Sequence, residues 1–288
     1  MLIVQKVKDA KKYIAALKKQ RKRIGFVPTM GALHAGHLAL VKQCATENDI
    51  VVVSIFVNPT QFNNPIDLEK YPRTPEHDID LLSTAPTYLV FIPLVEEIYP
   101  PDVDAPKHNF HFGTLDKVLE GEFRPGHFEG MSRVVNRLLH IIEPDSLFMG
   151  LKDFQQFTIV RSMLNQLHSK VSLVPCETFR ERDGLAMSSR NTRLSTEQRA
   201  LAPKIYKVLL EVQNRMGTMS PADLQQFALS ELNAEPQFRV EYFNIVDGRT
   251  LQAVETFAKS NFVVALTAVF VGEVRLIDNI ILKRPKQI

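Results

Sequence analysis

Short apolar runs alternate with stretches of helical periodicity between residue 24 and about residue 175. The apolar runs cover residues 24–27, 50–57, 88–92, 146–149 and 171–174. The second of them, IVVVSIFV, is nearly continuous in branched apolar residues, which predicts a central strand buried on both faces. Strands that alternate with helices are typical of a parallel sheet covered by helices. We therefore predict an α/β fold with a doubly wound parallel sheet.

The intervening segments carry apolar residues at three- and four-residue spacing. Residues 131–142 place Met, Val, Leu and Ile at these intervals, and residues 154–167 follow the same pattern. Each segment therefore predicts a helix that buries one face. The segment from 98 to 126, with several Pro and His residues, predicts a loop over the site.

The pattern changes after about residue 179. Polar helical stretches at 196–216 and 221–234 precede apolar segments at 238–246 and 262–281, which read as antiparallel strands. We predict a second, smaller α+β domain there. The domain boundaries are expected at 1–178 and 179–288.

Composition narrows the functional classes. The chain has 288 residues, 45% of them hydrophobic, and a formal net charge of +3, so nucleic acid is not an expected partner. The N-terminal apolar stretch is too short for a signal peptide. The longest apolar run, at 262–271, is about half of a membrane span and rich in β-branched residues, so a buried strand explains it better.

Two further features have simple structural interpretations. Cys44 and Cys176 are the only cysteines, too few for a disulfide framework, so we expect a reducing cytoplasm. The lysine-rich segment 11–23 reads as the solvated face of a helix with a modest apolar stripe. A nucleic-acid contact is the weaker alternative, because no aromatic interleaving supports it.

The segment 28–41, PTMGALHAGHLALV, holds the most specific chemistry. We expect the preceding strand to end at Pro28, because proline cannot continue a ladder, and Gly31 and Gly36 to supply backbone freedom for a tight turn. A helix is expected to start near Gly36. Its first turn would direct free N–H groups towards a polyphosphate, with His34 and His37 beside it.

The H-x-G-H pattern and five further segments resemble one family. The longer form PTMGALHxGHL is similar to pantothenate synthetases (pantoate–β-alanine ligases), within the superfamily of H-x-G-H nucleotidylyltransferases with a Rossmann-like sheet. The other matches follow in order along the chain: VNPTQF (57–62), YPRT (71–74), RPGHFEG (124–130), KDFQQ (152–156) and DGLAMSSRN (183–191). Six ordered matches cover almost the whole chain.

The resemblance implies a reaction. ATP, pantoate and β-alanine would give pantothenate, AMP and pyrophosphate through a pantoyl adenylate, as a step in coenzyme A biosynthesis. The protein would position its ligands and neutralise charge, with no covalent enzyme intermediate. A homodimer with small-molecule substrates, and with no membrane or nucleic-acid partner, is also implied.

The resemblance also assigns residues. His37 would be the proton donor and His34 a phosphate contact, while Lys152, Ser188, Ser189 and Arg190 would complete the catalytic set. The implied ATP contacts are Met30, Gly31, Ala32, Leu33, His34, Ala35, Gly36, His37, Gly150, Leu151, Lys152, Asp153, Phe179, Met187, Ser188, Ser189 and Arg190. Asp153 would bind the ribose hydroxyls, and Phe179 is open to a second interpretation as a core residue.

The remaining implied contacts concern the two acids and the metal. Gln61 and Gln156 would bind pantoate, because an amide both donates and accepts hydrogen bonds. Gln61, Arg124 and His127 would bind β-alanine, although His127 is open to a purely structural role. Mg²⁺ would accompany ATP, with Asp78 as the candidate ligand.

Three alternatives stay open at this point. Another adenylyl-transferring enzyme of the same fold is the nearest rival. A tRNA synthetase is disfavoured because little chain is left for a tRNA-reading domain. A nucleotide-sensing or RNA-binding protein that has lost catalysis would retain the fold, but the His pair, Lys152 and the MSSR sequence argue against it.

Overall fold

The computed structural model describes residues 1–62, 65–100 and 110–285. The chain forms two compact units. The first consists of Met1–Leu151 and Ile159–Cys176, and the second of Lys152–Thr158 with the chain from Glu177 onward. The assignment of an ATP- and pantoate-binding domain to 1–178 and of a closing domain to 179–288 stays a prediction.

The first unit is built on a parallel sheet, as predicted. In the described residues its strands are β1 (Leu2–Val4), β2 (Ile24–Thr29), β3 (Ile50–Ile55), β4 (Leu89–Phe91), β5 (Ser146–Gly150) and β6 (Ser172–Cys176). Their order is β1-β4-β3-β2-β5-β6, and every neighbouring pair is parallel. From β2 the chain builds the sheet outward on one side through β3 and β4, and then on the other through β5 and β6. The end of β2 is therefore the switch point at which such sheets bind ligands.

Two details of this sheet differ from the prediction. Strand β1 was not predicted, because three residues carry little pattern and the strand exists only through its pairing with β4. Strand β2 was predicted to end at Pro28 but continues to Thr29. Pro28 lies opposite Ser54 of β3, beyond the paired residues Gly25 and Phe26 of the β2–β5 ladder, so its missing N–H costs no bond to β5.

Helices lie between these strands along the chain. They are α1 (Val7–Lys19), α2 (Ala35–Glu47), α3 (Pro65–Glu69), α4 (Pro75–Ser83), α5 (Val95–Ile98), α6 (Glu120–Phe123), α7 (His127–Ile142) and α8 (Phe154–Gln166), with 3-10 turns at Pro59–Gln61 and Leu151–Asp153. Helix α1 buries Ala10, Ile14 and Leu17 and exposes its lysines, as a solvated surface helix does. The predicted loop at 98–126 contains the short helix α6, while residues 101–109 lie outside the described residues.

The second unit packs helices on an antiparallel sheet. Its helices are α9 (Thr196–Leu201), α10 (Lys204–Asn214) and α11 (Pro221–Asn233), with 3-10 turns at Ser189–Arg193 and Phe257–Lys259. Strands β7 (Phe238–Asp247), β8 (Val263–Val271) and β9 (Val274–Lys283) form the sheet in the order β7-β8-β9. Strand β8 is buried along almost its whole length, which explains the longest apolar run of the sequence. Among the described residues, no helix is both long and apolar enough to cross a membrane.

Candidate active site

The loop after β2 turns through two left-handed residues. Gly31 has φ +83° and Ala32 has φ +49°. Glycine adopts such angles without strain, whereas alanine pays a steric cost of about 1 kcal/mol. Gly36, to which the sequence analysis gave the same freedom, lies instead in the first turn of α2. The strained position is therefore Ala32, and its neighbours must hold it in place.

Asp78 of α4 holds this loop. Its Oδ2 accepts a hydrogen bond from the Ala32 N–H at 2.9 Å, and its Oδ1 accepts one from the Leu33 N–H at 2.8 Å. The Thr74 hydroxyl donates a third bond to Oδ1 at 3.0 Å. The side chain is fully buried, so these charge-assisted bonds are not exposed to water. Asp78 thus fixes the left-handed turn from a helix that is distant only in the sequence.

The contacts of Asp78 do not fit the predicted role of a magnesium ligand. A bound ion keeps several waters, and a fully buried carboxylate whose two oxygens already accept hydrogen bonds offers no place for that shell. In the described ranges, no group of three or more His, Cys, Asp or Glu residues is arranged to hold a metal. The prediction does not fit because the Asp78 carboxylate binds the backbone of the loop after β2. The position of Asp78 in the sequence did not reveal these contacts.

His34 and His37 form a reciprocal cap at the start of α2. The Gly36 N–H donates to His34 Nδ1 at 3.2 Å, and the His34 N–H donates to His37 Nδ1 at 3.3 Å. The ring centroids are 4.1 Å apart. Because Nδ1 of each neutral ring accepts a hydrogen bond, the ring proton must sit on Nε2. Both imidazoles are therefore held as Nε2–H donors.

The backbone donors of the loop are largely used within the protein. The Gly31 N–H donates to the Thr29 hydroxyl at 3.3 Å, and the His37 N–H donates to the His34 carbonyl at 2.9 Å. Those of Ala32 and Leu33 are bonded to Asp78. Free N–H groups were predicted for the first turn of α2. The described N–H groups of this segment are instead bonded within the protein.

Gln61 lies in the 3-10 turn after β3 and is buried. Its Nε2 contacts Met30 Sδ at 2.8 Å, and its Oε1 accepts a bond from Asn58 Nδ2 at 3.2 Å. Asn58 Nδ2 also donates to the Gly130 carbonyl at 3.2 Å, and Tyr99 donates its hydroxyl to Asn58 Oδ1 at 3.0 Å. Burial raises the pKa of Tyr99, which keeps the hydroxyl protonated as a donor. Asn58 therefore orients the Gln61 amide.

His127 and Arg124 complete this group. His127 Nδ1 lies 2.8 Å from the Gln61 carbonyl, which can only accept, so Nδ1 carries the proton. Its Nε2 lies 3.4 Å from Arg124 Nη1. Arg124 also lies 3.8 Å from the carboxylate of Glu120. The structure thus brings together Gln61, Arg124 and His127, the residues predicted to serve β-alanine.

The second unit begins with the predicted ATP residues Lys152 and Asp153. Lys152 Nζ lies 3.5 Å from Asp153 Oδ2, and Asp153 is exposed. Gln156 lies in the first turn of α8 and is partly buried. In the first unit, Gly150 ends β5, and a Cβ there would meet no atom within 4 Å, whereas Leu151 is buried. Any ligand contact of Leu151 therefore falls to its backbone.

The remaining predicted residues lie on a turn of the second unit. The Met187 N–H donates to the Phe179 carbonyl at 3.0 Å, and Arg180 and Ala186 form an antiparallel bridge. Phe179 is 41% exposed, which disfavours its interpretation as a core residue. The Ser188 hydroxyl accepts a bond from the Arg190 N–H at 3.3 Å and caps the 3-10 turn Ser189–Arg193.

A carboxylate cluster holds this turn. Arg199 donates to Asp183 and to Glu181, each at 2.6 Å. The bond from Arg199 lowers the pKa of Asp183, which therefore stays ionised near neutral pH. Asn191 Nδ2 bonds Glu181 at 2.9 Å and the Ala186 carbonyl at 3.1 Å. The Ser188–Arg190 segment is thus fixed on both sides.

The sequence did not predict the residues that support Gln61 and the loop after β2. Asn58 belongs to the VNPTQF segment and follows a buried strand, so its position was a usable signal. The role of Asp78 as the holder of the loop had no such signal, because its partners lie 45 and 46 residues away. Contacts of this range follow from the fold alone.

Comparisons with known proteins show the family to which the chain is similar. The sequence profile of the family described as pantoate-beta-alanine ligase matches residues 2–281. The pantothenate synthetase of Porphyromonas gingivalis (strain ATCC 33277) is 47% identical over 97% of this chain and 99% of its own. That of Cytophaga hutchinsonii is 42% identical over 98% and 99%.

Solved structures give the same result. The pantothenate synthetase of Thermus thermophilus has a TM-score of 0.89 and 40% identity, over 99% of this chain and all of its own. The pantoate-beta-alanine ligase of Francisella tularensis, complexed with beta-gamma ATP and beta-alanine, has a TM-score of 0.79 and 35% identity over the full length of both chains. The family profile, the sequence relatives and the solved structures agree, and the chain belongs to the pantoate–β-alanine ligase family.

Proposed function

We propose that the residues described above carry out the ATP-dependent formation of pantothenate through a pantoyl adenylate. The chain is a pantoate–β-alanine ligase. In the first step a carboxylate oxygen of (R)-pantoate attacks the α-phosphorus of ATP, and pyrophosphate leaves. In the second step the amine of β-alanine attacks the acyl carbon, loses its proton and expels AMP. One observation supports this proposal most: two imidazoles held as Nε2–H donors at the switch point of the sheet.

The His pair would neutralise charge on the phosphates. As pyrophosphate leaves, negative charge grows on the bridging oxygen, and an N–H donor held in place stabilises it without reorganisation. His37 would donate to that oxygen, and His34 would contact a neighbouring phosphate oxygen. Asp78 supports both residues indirectly, because it fixes the turn that precedes them.

The second unit would supply the cations. Lys152 offers a mobile ammonium for phosphate oxygens, and Arg190 offers planar donors that suit a phosphate. Ser188 and Ser189 would add hydroxyl donors. Asp153 would accept the ribose hydroxyls, and its exposed carboxylate is available for that contact. The other ATP contacts predicted for this unit, Phe179 and Met187, would border the adenine.

Gln61 and Gln156 would bind pantoate, and Gln61, Arg124 and His127 would bind β-alanine. Support for the second set comes from the hydrogen-bond chain that already joins these residues. Arg124 supplies the positive charge that a carboxylate needs. His127 would also fix Gln61 through its bond to the Gln61 backbone carbonyl, and Arg124 would meet the carboxylate of β-alanine.

Several broader features belong to the same proposal. Mg²⁺ would enter with ATP, held by phosphate oxygens and water, and no step above depends on a protein ligand for it. We also propose a homodimer, a closing movement of the smaller domain over ATP and a cytoplasmic location. The free thiols of Cys44 and Cys176 are compatible with a reducing compartment.

An omission assay tests the function. Purified protein is incubated with ATP and Mg²⁺, and pantoate or β-alanine is left out in turn while AMP and pyrophosphate are measured. We expect steady AMP release only when both acids are present. Pantoate alone should support exchange of labelled pyrophosphate into ATP. Formation of ADP, or AMP release without β-alanine at the full rate, would contradict the proposal.

A further inference from the structure

The sequence RLIDN at 275–279 lies on strand β9, outside the segments that carry the predicted site residues. Asp278 and Asn279 are both buried, and both carry polar side chains that must be satisfied within the protein. All their partners described below belong to the second unit. They include the main chain of Lys152.

Asp278 forms a buried ion pair with Arg180. Arg180 Nη1 donates to Asp278 Oδ2 at 2.7 Å, and Nη2 donates to Oδ1 at 2.9 Å, which is the two-bond geometry of a guanidinium on a carboxylate. The guanidinium carbon lies 3.6 Å from the centre of the Tyr206 ring. Burial raises the pKa of Asp278, and the Arg180 charge opposes that rise. Both bonds and the ring fix the position of Arg180.

The cluster of Arg180, Asp278 and Asn279 contacts two segments of the proposed site. Asn279 Nδ2 donates to the Lys152 carbonyl at 2.9 Å. Arg180 donates to the Gly184 carbonyl at 3.1 Å and bridges Ala186, two positions before Ser188. The Asn279 N–H also donates to Asp278 Oδ1 at 2.8 Å, which connects the contact with Lys152 to the contacts of Arg180.

We propose that Asn279 is a positioning residue, which holds the main chain of Lys152 and joins it through Asp278 and Arg180 to the segment that carries Ser188–Arg190. A lysine side chain has four rotatable bonds, so its ammonium is placed only if its backbone is fixed. The cluster supplies that fixed point. It thereby sets the spacing between the two cationic contacts assigned to the phosphates. This inference rests on the proposed function.

Asn279→Ala tests the inference, because it removes the donor to Lys152 and leaves Asp278 and Arg180 in place. The matched control is Glu241→Gln, which disrupts another partly buried ion pair, between Glu241 of β7 and Arg275, four residues earlier on β9. Both variants are measured by pantoate-dependent pyrophosphate exchange at varied ATP, and by thermal unfolding. We expect kcat to fall about tenfold to a hundredfold in Asn279→Ala and less than twofold in the control.

A second measurement does not depend on activity. Acetic anhydride labelling followed by mass spectrometry reports the reactivity of Lys152, with and without a non-hydrolysable ATP analogue. Protection of Lys152 by the analogue should weaken in Asn279→Ala and persist in Glu241→Gln. Arg180→Lys, which keeps the charge and loses the two-bond geometry, should show the same loss of protection.

The outcomes separate this inference from the function. If the wild-type protein lacks exchange activity, the proposed function fails. If the wild type is active and Asn279→Ala keeps its kcat and its protection of Lys152, only the role of Asn279 fails. An equal loss in Asn279→Ala and Glu241→Gln would also overturn it, because the effect would then be one of general stability.

Discussion

Replacing Gly130 with alanine will force helix α7 away from the turn that carries Gln61. A Cβ at position 130 would lie 2.0 Å from the Thr60 carbonyl oxygen, 2.5 Å from its carbon and 2.9 Å from the Gln61 nitrogen. All three are backbone atoms, so no side-chain rotation relieves the contact. A carbon and an oxygen approach to about 3.3 Å. The turn and the helix must therefore separate by about 1 Å.

The magnitude follows from this displacement. Overpacking of this kind costs about 1–3 kcal/mol of stability. A misplacement of about 1 Å at a site that orients a substrate costs about 10² in rate. The separation also strains the bond from Asn58 to the Gly130 carbonyl, which orients the Gln61 amide. We therefore expect kcat/KM for pantoate to fall about 10²-fold, with a much smaller change in the KM for ATP.

The assay is initial-rate AMP release at varied pantoate, alongside thermal unfolding to confirm that the variant is folded. Glu129→Ala is the control, because that side chain is exposed on the same helix and pairs only with its neighbour Arg133 in the contacts described. Near-normal pantoate kinetics in a folded Gly130→Ala protein would refute the reasoning. The position of Gln61 would then not matter for pantoate.

Three further predictions concern the His pair, the loop and the thiols. His37→Ala should lower the adenylation rate by about 10² or more in the pyrophosphate-exchange assay, while the control His111→Ala, at an exposed residue, should leave that rate unchanged. An unchanged rate in His37→Ala would exclude His37 from the mechanism. Asp78→Ala leaves the N–H groups of Ala32 and Leu33 without their acceptor, so chemical denaturation should show a free energy of unfolding lower by about 2–4 kcal/mol. The exposed control Asp80→Ala should change that free energy little. Burial raises the pKa of Cys44 to about 12, so a thiol reagent at about pH 8 should react with the protein only after unfolding; rapid reaction of the native protein would contradict that burial.

The parallel sheet was predictable because its central strands carry a continuous apolar signal. Strand β3 is buried at every position, and this is what the run of branched residues indicated. Strand β1 was not predictable, because it is defined by its partner β4 and not by its own three residues. The helical stretch at 196–216 divides into α9 and α10 around Ala202 and Pro203, since proline lacks the N–H that would continue the first helix.

The candidate site shows the same limit. The motifs predicted His34, His37 and Gln61 as site residues, because the spacing of the motifs along the chain carries that information. Asp78 was the candidate ligand for magnesium, and only the folded chain reveals its two bonds to the loop. The link from Asn279 to Lys152 spans 127 residues and had no signal in sequence spacing.

Transfer of an isotope tests the central claim most directly. Pantoate labelled with ¹⁸O in its carboxylate is converted with ATP and β-alanine, and the phosphorus-containing products are analysed by mass spectrometry. If the carboxylate attacks the α-phosphorus, one labelled oxygen must leave with AMP, and pyrophosphate must stay unlabelled. Unlabelled AMP, or label in inorganic phosphate accompanied by ADP, would contradict the adenylate and with it the roles assigned to the His pair and Lys152.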